Sequence, residues 1–88
     1  MAEDFEIRLV IEQNKFVPPE IKAPAGQRIK LLVLNKDDTP EEFESVPLNL
    51  EKIIDGGSRA IFFIEPLTAG NYSFFGEFSG TQGMLVVE

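Results

Sequence analysis

Apolar and polar side chains alternate along several short segments of the chain, which is the pattern of β-strands with one buried face. Phe5, Ile7, Leu9 and Ile11 alternate with polar residues near the start of the chain. The segment RIKLLVLN (residues 28–35) is apolar on both faces and predicts a central strand. Three further strands are predicted from SRAIFFI, NYSFFGEF and GMLVVE.

Prolines and glycines separate these segments at short intervals. Pro18, Pro19 and Pro24 rule out a helix and predict an edge strand or an extended crossing over residues 16–27. Residues 43–54 are strand-like but are interrupted by Pro47, and within them LNLEKII is the one short helical candidate. Turn signals every 8 to 12 residues or so favour an all-β sandwich of two antiparallel layers, built as a single domain over residues 1–88.

The net charge of the chain limits the classes of ligand and partner that it can bind. Fifteen acidic and eight basic residues give the 88-residue chain a net charge of −7, which disfavours nucleic acid and anionic lipid and favours a metal cation or a basic protein partner. No apolar run approaches the ~18 residues of a membrane span, so we expect no membrane insertion. The start, MAEDFEIRLV, lacks the pattern of a secretory signal.

Two residue types are missing from the whole chain. Without Cys, it has no disulfide, no thiolate ligand and no cysteine nucleophile, and without His it lacks the commonest metal ligand and general base. No other acid–base or nucleophilic constellation stands out, so we predict that the protein is not an enzyme and has no catalytic residues.

Four segments together resemble the cupredoxin family: KFVPPEIKAPAGQRIKLLVLN, DDTPEEF, PLTAGNYSFFGEF and GMLVVE. The resemblance covers nearly the whole chain and implies a Greek-key β-sandwich. The stretches TPEEFES and FFGEF are similar to those of cupredoxin-like domains in exported bacterial metal-handling proteins. This likeness implies a periplasmic or secreted location.

The family's copper ligands can be placed on this chain position by position. The resemblance puts Glu41 at the first His place, Gly76 at the Cys place, Ser79 at the second His place and Met84 at the Met place. A blue-copper centre needs a thiolate and imidazoles, so we predict that a type 1 copper centre is absent.

Carboxylates remain as candidate metal ligands. We predict a site from Glu41, Glu44 and Glu77, with Met84 as a further candidate, that binds a metal cation weakly. Oxygen ligands suit hard cations such as ferric iron or manganese, while the resemblance implies a copper or iron ion. Alternation along an extended segment puts Glu41 on the face of Phe43 and turns Glu42 and Glu44 to the other face, so at most one or two of them can point at a common centre with Glu77.

A second hypothesis is an interaction or structural module that docks a protein partner through the ligand-loop end, without metal. Phe75 and Phe78 are its candidate contacts. We expect at least two of Phe74, Phe75 and Phe78 to pack in the core, and Tyr72 to anchor a corner of the sandwich.

Overall fold

The computed structural model describes residues 3–88, which form nine β-strands and no helix. The all-β prediction is therefore confirmed. In chain order the strands are β1 (Phe5–Glu12), β2 (Lys15–Val17), β3 (Glu20–Ala23), β4 (Ile29–Asn35), β5 (Glu41–Ser45), β6 (Leu50–Ile54), β7 (Arg59–Ile64), β8 (Gly70–Gly76) and β9 (Gln82–Val87). None of the described residues belongs to a helix of the length and apolarity that crossing a membrane requires.

The strands form two stacked sheets. One has the order β2-β1-β4-β7 and the other has the order β3-β9-β8-β5-β6. The predicted antiparallel layers are wrong in one respect, because β1 runs parallel to β4 and β3 runs parallel to β9. Alternation along a single strand reports its buried face and carries no information on the direction of its neighbour.

The proline-rich segment lies between the two sheets, as the sequence predicted. β2 is an edge strand of the four-stranded sheet and β3 is an edge strand of the five-stranded sheet, with Pro18 and Pro19 at the crossing. Proline cannot donate to a strand ladder, so it is tolerated at such edges.

Residues 50–54, part of the short helical candidate, form a strand instead. β6 pairs antiparallel with β5, and this register places Glu51 opposite Glu44. Asn49 supports the reversal between the two strands with a φ of 55°, a left-handed conformation that asparagine tolerates.

Aromatic rings fill the space between the sheets. The ring of Phe74 lies 4.9 Å from that of Phe16 and 5.4 Å from that of Phe43, measured between centroids. Phe75 is only half-buried and Phe78 is 56% exposed. The expectation that at least two of Phe74, Phe75 and Phe78 would pack in the core is wrong. Phe75 lies on the face of β8 opposite the buried Phe74, and Phe78 follows the end of the strand at Gly76, where the chain turns outward.

Tyr72 anchors a corner, as predicted. It packs against the core, and its hydroxyl donates a 2.8 Å hydrogen bond to the carbonyl oxygen of Thr68, four residues upstream. This bond ties the loop before β8 to the strand itself.

Candidate metal site

Glu41 is the first residue of β5 and points into the sandwich. Its side chain is almost fully buried, with 3% of the residue exposed. Oε1 accepts hydrogen bonds from the backbone N–H groups of Glu42, at 3.0 Å, and of Phe78, at 2.9 Å. The carboxylate therefore joins β5 to the turn after β8, and both donors would lose their partner without it.

The same carboxylate covers Gly76. A Cβ atom built on Gly76 would lie 2.5 Å from Oε2 and 2.6 Å from Cδ of Glu41, closer than two such atoms can approach. The fold thus brings together two residues that stand 35 positions apart, at the places that the resemblance assigned to the first His and the Cys. The space beside Gly76 is filled by a carboxylate of the chain itself.

A cleft of about 260 Å³ opens beside this contact. Ser79, at the predicted second His place, lies on its wall together with Pro40 and Phe78. The hydroxyl oxygen of Ser79 accepts a 3.2 Å hydrogen bond from the N–H of Thr81, so the side chain closes a local turn.

A second group of carboxylates lies on the outer face of the five-stranded sheet. Glu42 and Glu44 alternate with buried residues of β5, and Glu51 faces Glu44 across the hairpin. One carboxylate oxygen from each of the three lies within 4.8 Å of those of the other two. This spacing can place three oxygen ligands on a single cation.

These neighbours perturb the titration of Glu44. Partial burial, a hydrogen bond with Glu51 and repulsion from Glu42, Glu51 and Glu77 raise the pKa of Glu44 from 4.5 to about 7. The group therefore holds a proton up to nearly neutral pH. A bound cation would replace that proton and relieve the same repulsion.

The four predicted ligands do not share one centre. Glu41 points inward, whereas Glu44 lies on the outer face, with Glu77 near enough to affect its pKa. Met84 lies on β9 opposite Ser73 and, since Leu85 beside it is buried, its side chain also takes the outer face. Its pairing partner Ser73 lies three residues, or about 10 Å, from Gly76 along β8. Met84 is therefore displaced by about that distance, along the strand direction, from the contact between Glu41 and Gly76.

Glu77 follows β8 directly, and its N–H donates a 2.9 Å hydrogen bond to the carbonyl oxygen of Glu42. This bond holds the turn after β8 against β5. Metal ligation by Glu41, Glu44, Glu77 and Met84 stays a prediction.

Glu51 is the candidate ligand that sequence reasoning missed. It lies in the segment with the short helical candidate, and only the β5–β6 register brings it to Glu44. The available signal was the turn around Pro47 and Asn49, because a hairpin centred there pairs the two glutamates.

Comparisons with known proteins agree with this architecture. The family model described as "Cupredoxin-like domain" matches residues 1–87. An uncharacterized protein of Rickettsia prowazekii (strain Madrid E) is 38% identical over 84 residues, which cover 93% of this chain and 67% of the relative.

Among solved structures, one described as a copper binding protein in the apo form has a TM-score of 0.85 at 20% identity, covering 100% of this chain and 92% of that one. The metal binding domain of the Streptococcus pneumoniae D39 Cu(I) exporting P-type ATPase CopA, solved with Cu(I), has a TM-score of 0.81 at 15% identity. The match covers 94% of this chain and 84% of that domain.

An amicyanin variant has a TM-score of 0.76 at 19% identity, with 99% of this chain and 86% of that chain covered. At such low identities these structures show a common fold. Because the family model matches nearly the whole chain, the chain belongs to the cupredoxin-like domain family.

Proposed function

We propose that this domain is a non-enzymatic member of its family that works without a type 1 copper centre. The donor set carries this part of the proposal: the 88 residues contain no thiol and no imidazole, so the residues present do not fit such a centre. Glu41 supports the same conclusion, because its carboxylate covers Gly76 and is already engaged with two backbone donors.

The domain binds a hard cation weakly through the outer-face carboxylates Glu42, Glu44 and Glu51. The observation that supports this function is the approach of their oxygen atoms to within 4.8 Å of one another. Carboxylate oxygens suit Mn²⁺, Fe³⁺ or Cu²⁺ better than Cu(I), which prefers sulfur. The site is weak because Glu51 is exposed and two strands alone position the ligands.

Titration calorimetry at pH 7.5 with Mn²⁺, Cu²⁺ and citrate-delivered Fe³⁺ tests this function. Saturable heat from at least one cation is expected in the wild type and should be lost in the double variant Glu44→Gln/Glu51→Gln. The matched control, Glu12→Gln/Glu20→Gln, removes the same charge elsewhere and should retain the heat. No saturable heat with any of the three cations would refute the function, and equal loss in the control would refute the site.

We further propose that the protein is periplasmic or secreted. Its likeness to exported bacterial metal-handling proteins, in TPEEFES and FFGEF, supports this location. Fractionation of the source cells with an antibody to the domain should place it outside the cytoplasm. Recovery with a cytoplasmic marker enzyme would contradict the proposal.

A second candidate function is docking of a protein partner through the ligand-loop end. The observation in its favour is Phe78, which is 56% exposed on the wall of the cleft beside Glu41. Phe78→Ser should abolish co-purification of a partner and leave cation binding unchanged. Val46→Ser, at a residue that is 79% exposed, is the matched control and should change neither.

A further inference from the structure

One edge of the four-stranded sheet lacks the features that normally protect a sheet edge. β7 is the last strand of that sheet, so its outer side pairs with no strand. The edge strands β2 and β3 adjoin Pro18 and Pro19, and β6 carries adjacent charges, whereas β7 reads RAIFFI with no proline and one charge. Such an edge is a template for pairing with another strand.

Two of the three exposed side chains of β7 are large and apolar. Ile61 is 45% exposed and Phe63 is 54% exposed, both on the outer face of the sheet. Arg59 begins this row, and the exposed Glu65 follows the strand directly. Pro66 comes next and favours an extended conformation at Glu65, so the row continues for one residue beyond the strand.

The hydrogen-bonding groups of the same residues face the open edge. The N–H of Asn35 donates to the carbonyl oxygen of Ser58 at 2.9 Å, which identifies these two residues as a hydrogen-bonded pair between β4 and the start of β7. Bonding alternates along an antiparallel pair, so the even residues of β7 bond to β4. The backbone groups of Arg59, Ile61 and Phe63 then point away from the sheet.

We propose that β7 pairs antiparallel with β7 of a second copy of this chain, about a two-fold axis at Phe62. In this register Ile61 faces Phe63 of the second copy, and Arg59 faces Glu65 of the second copy. Each contact occurs twice across the axis. The two four-stranded sheets join into one sheet of eight strands.

The partner that fits the open edge of β7 is a second copy of the chain, because the sequence of β7 is complementary to itself. The strand carries a cation at its start, a carboxylate just after its end and two large apolar side chains between them. An antiparallel copy of the same strand therefore places opposite charges and apolar side chains opposite one another. Moving the axis to Ile61 places Arg59 opposite Phe63, and moving it to Phe63 places Ile61 opposite Glu65. Either shift separates both ion pairs.

The edge is also open to approach. A groove of about 370 Å³ runs beside the end of β7, between Phe63, Leu67 and the turn around Pro47. A contact of one strand on each side falls below the roughly 1,200 Å² of a standard stable interface. The dimer is therefore weak and forms in a concentration-dependent manner.

Sedimentation equilibrium from about 10 µM to about 1 mM tests the proposal, because mass action reveals a weak dimer only across such a range. The mass of the wild type should rise from 9.8 kDa towards twice that value. Arg59→Glu and Glu65→Arg should each weaken dimerisation by at least about tenfold, because each places like charges opposite one another twice. The double variant Arg59→Glu/Glu65→Arg should recover the affinity of the wild type.

Two further variants separate the edge from general surface effects. Ile61→Pro removes an edge N–H without touching the bonds to β4 and should abolish the dimer. Lys22→Glu, a charge reversal on the other sheet, should leave it intact. A wild type that is monomeric at every concentration, or a double variant that fails to recover, would overturn the proposal.

Discussion

The carboxylate of Glu41 lies directly over Gly76, and each of the two residues limits what can stand at the other position. A Cβ atom at residue 76 would lie 2.5 Å from Oε2 of Glu41. The carboxylate in turn accepts hydrogen bonds from the N–H groups of Glu42 and Phe78. One acidic side chain thus closes the end of the sandwich where the resemblance places a metal.

Gly76→Ala should destabilise the protein by about 2 kcal/mol, because the added methyl group displaces a buried carboxylate and breaks its hydrogen bonds. Urea unfolding of the wild type, Gly76→Ala, Glu41→Ala and the double variant gives the coupling between the two residues. Once Glu41 is truncated, the methyl group has room, so the coupling should be at least about 1 kcal/mol. If the losses of unfolding free energy in the two single variants simply add up in the double variant, the contact between Glu41 and Gly76 is contradicted.

The buried side chain of Asn35 should contribute strongly to stability. Its Nδ2 donates to the carbonyl oxygens of Thr39 and Ile54, at 2.9 and 3.0 Å, and its Oδ1 accepts from the N–H of Asp37 at 3.0 Å. Asn35→Leu should cost about 3 kcal/mol in urea unfolding, because these backbone groups lose their partner. The exposed control Asn71→Leu should change stability by less than about 0.5 kcal/mol, and an equal loss in both would contradict this role.

Stability should depend on pH through Glu44. Because partial burial and the neighbouring carboxylates raise the pKa of Glu44 from 4.5 in the unfolded chain to about 7 in the folded one, the folded state binds more protons between these values. The stability of the wild type relative to Glu44→Gln is therefore greatest below pH 4.5 and falls as the pH rises to about 7. Thermal unfolding across this range measures the difference.

The control for this prediction is Glu20→Gln, at an exposed position on β3. The stability of the wild type relative to Glu20→Gln should show no comparable fall towards pH 7. A pH-independent difference between the wild type and Glu44→Gln would show that the three carboxylates do not interact as the structure indicates.

The fold could be predicted largely because its strands are strongly patterned. Phe5, Ile7, Leu9 and Ile11 alternate in the sequence, and the last three are buried in the structure. Strand direction was not predictable in this way. The parallel pairing of β1 with β4 depends on the path of the chain between the sheets, which side-chain periodicity does not encode.

The candidate site was predictable only in part. Alternation along a single strand is enough to assign its two faces, and it correctly places Glu41 and Glu44 on opposite sides of β5. The approach of Glu51 requires the register of a hairpin, and the contact of Glu41 with Gly76 requires the packing of two distant segments. Both depend on pairings between strands, which local pattern leaves open.

Amide NMR spectra recorded during a titration with Mn²⁺ locate the cation site directly, because a bound paramagnetic ion broadens the signals nearest to it. Broadening should centre on Glu44 and Glu51 and should be weaker at Asn14 and Ser79, which lie on the wall of the cleft beside Glu41. Broadening centred on that cleft, or no site-specific broadening at all, would contradict it.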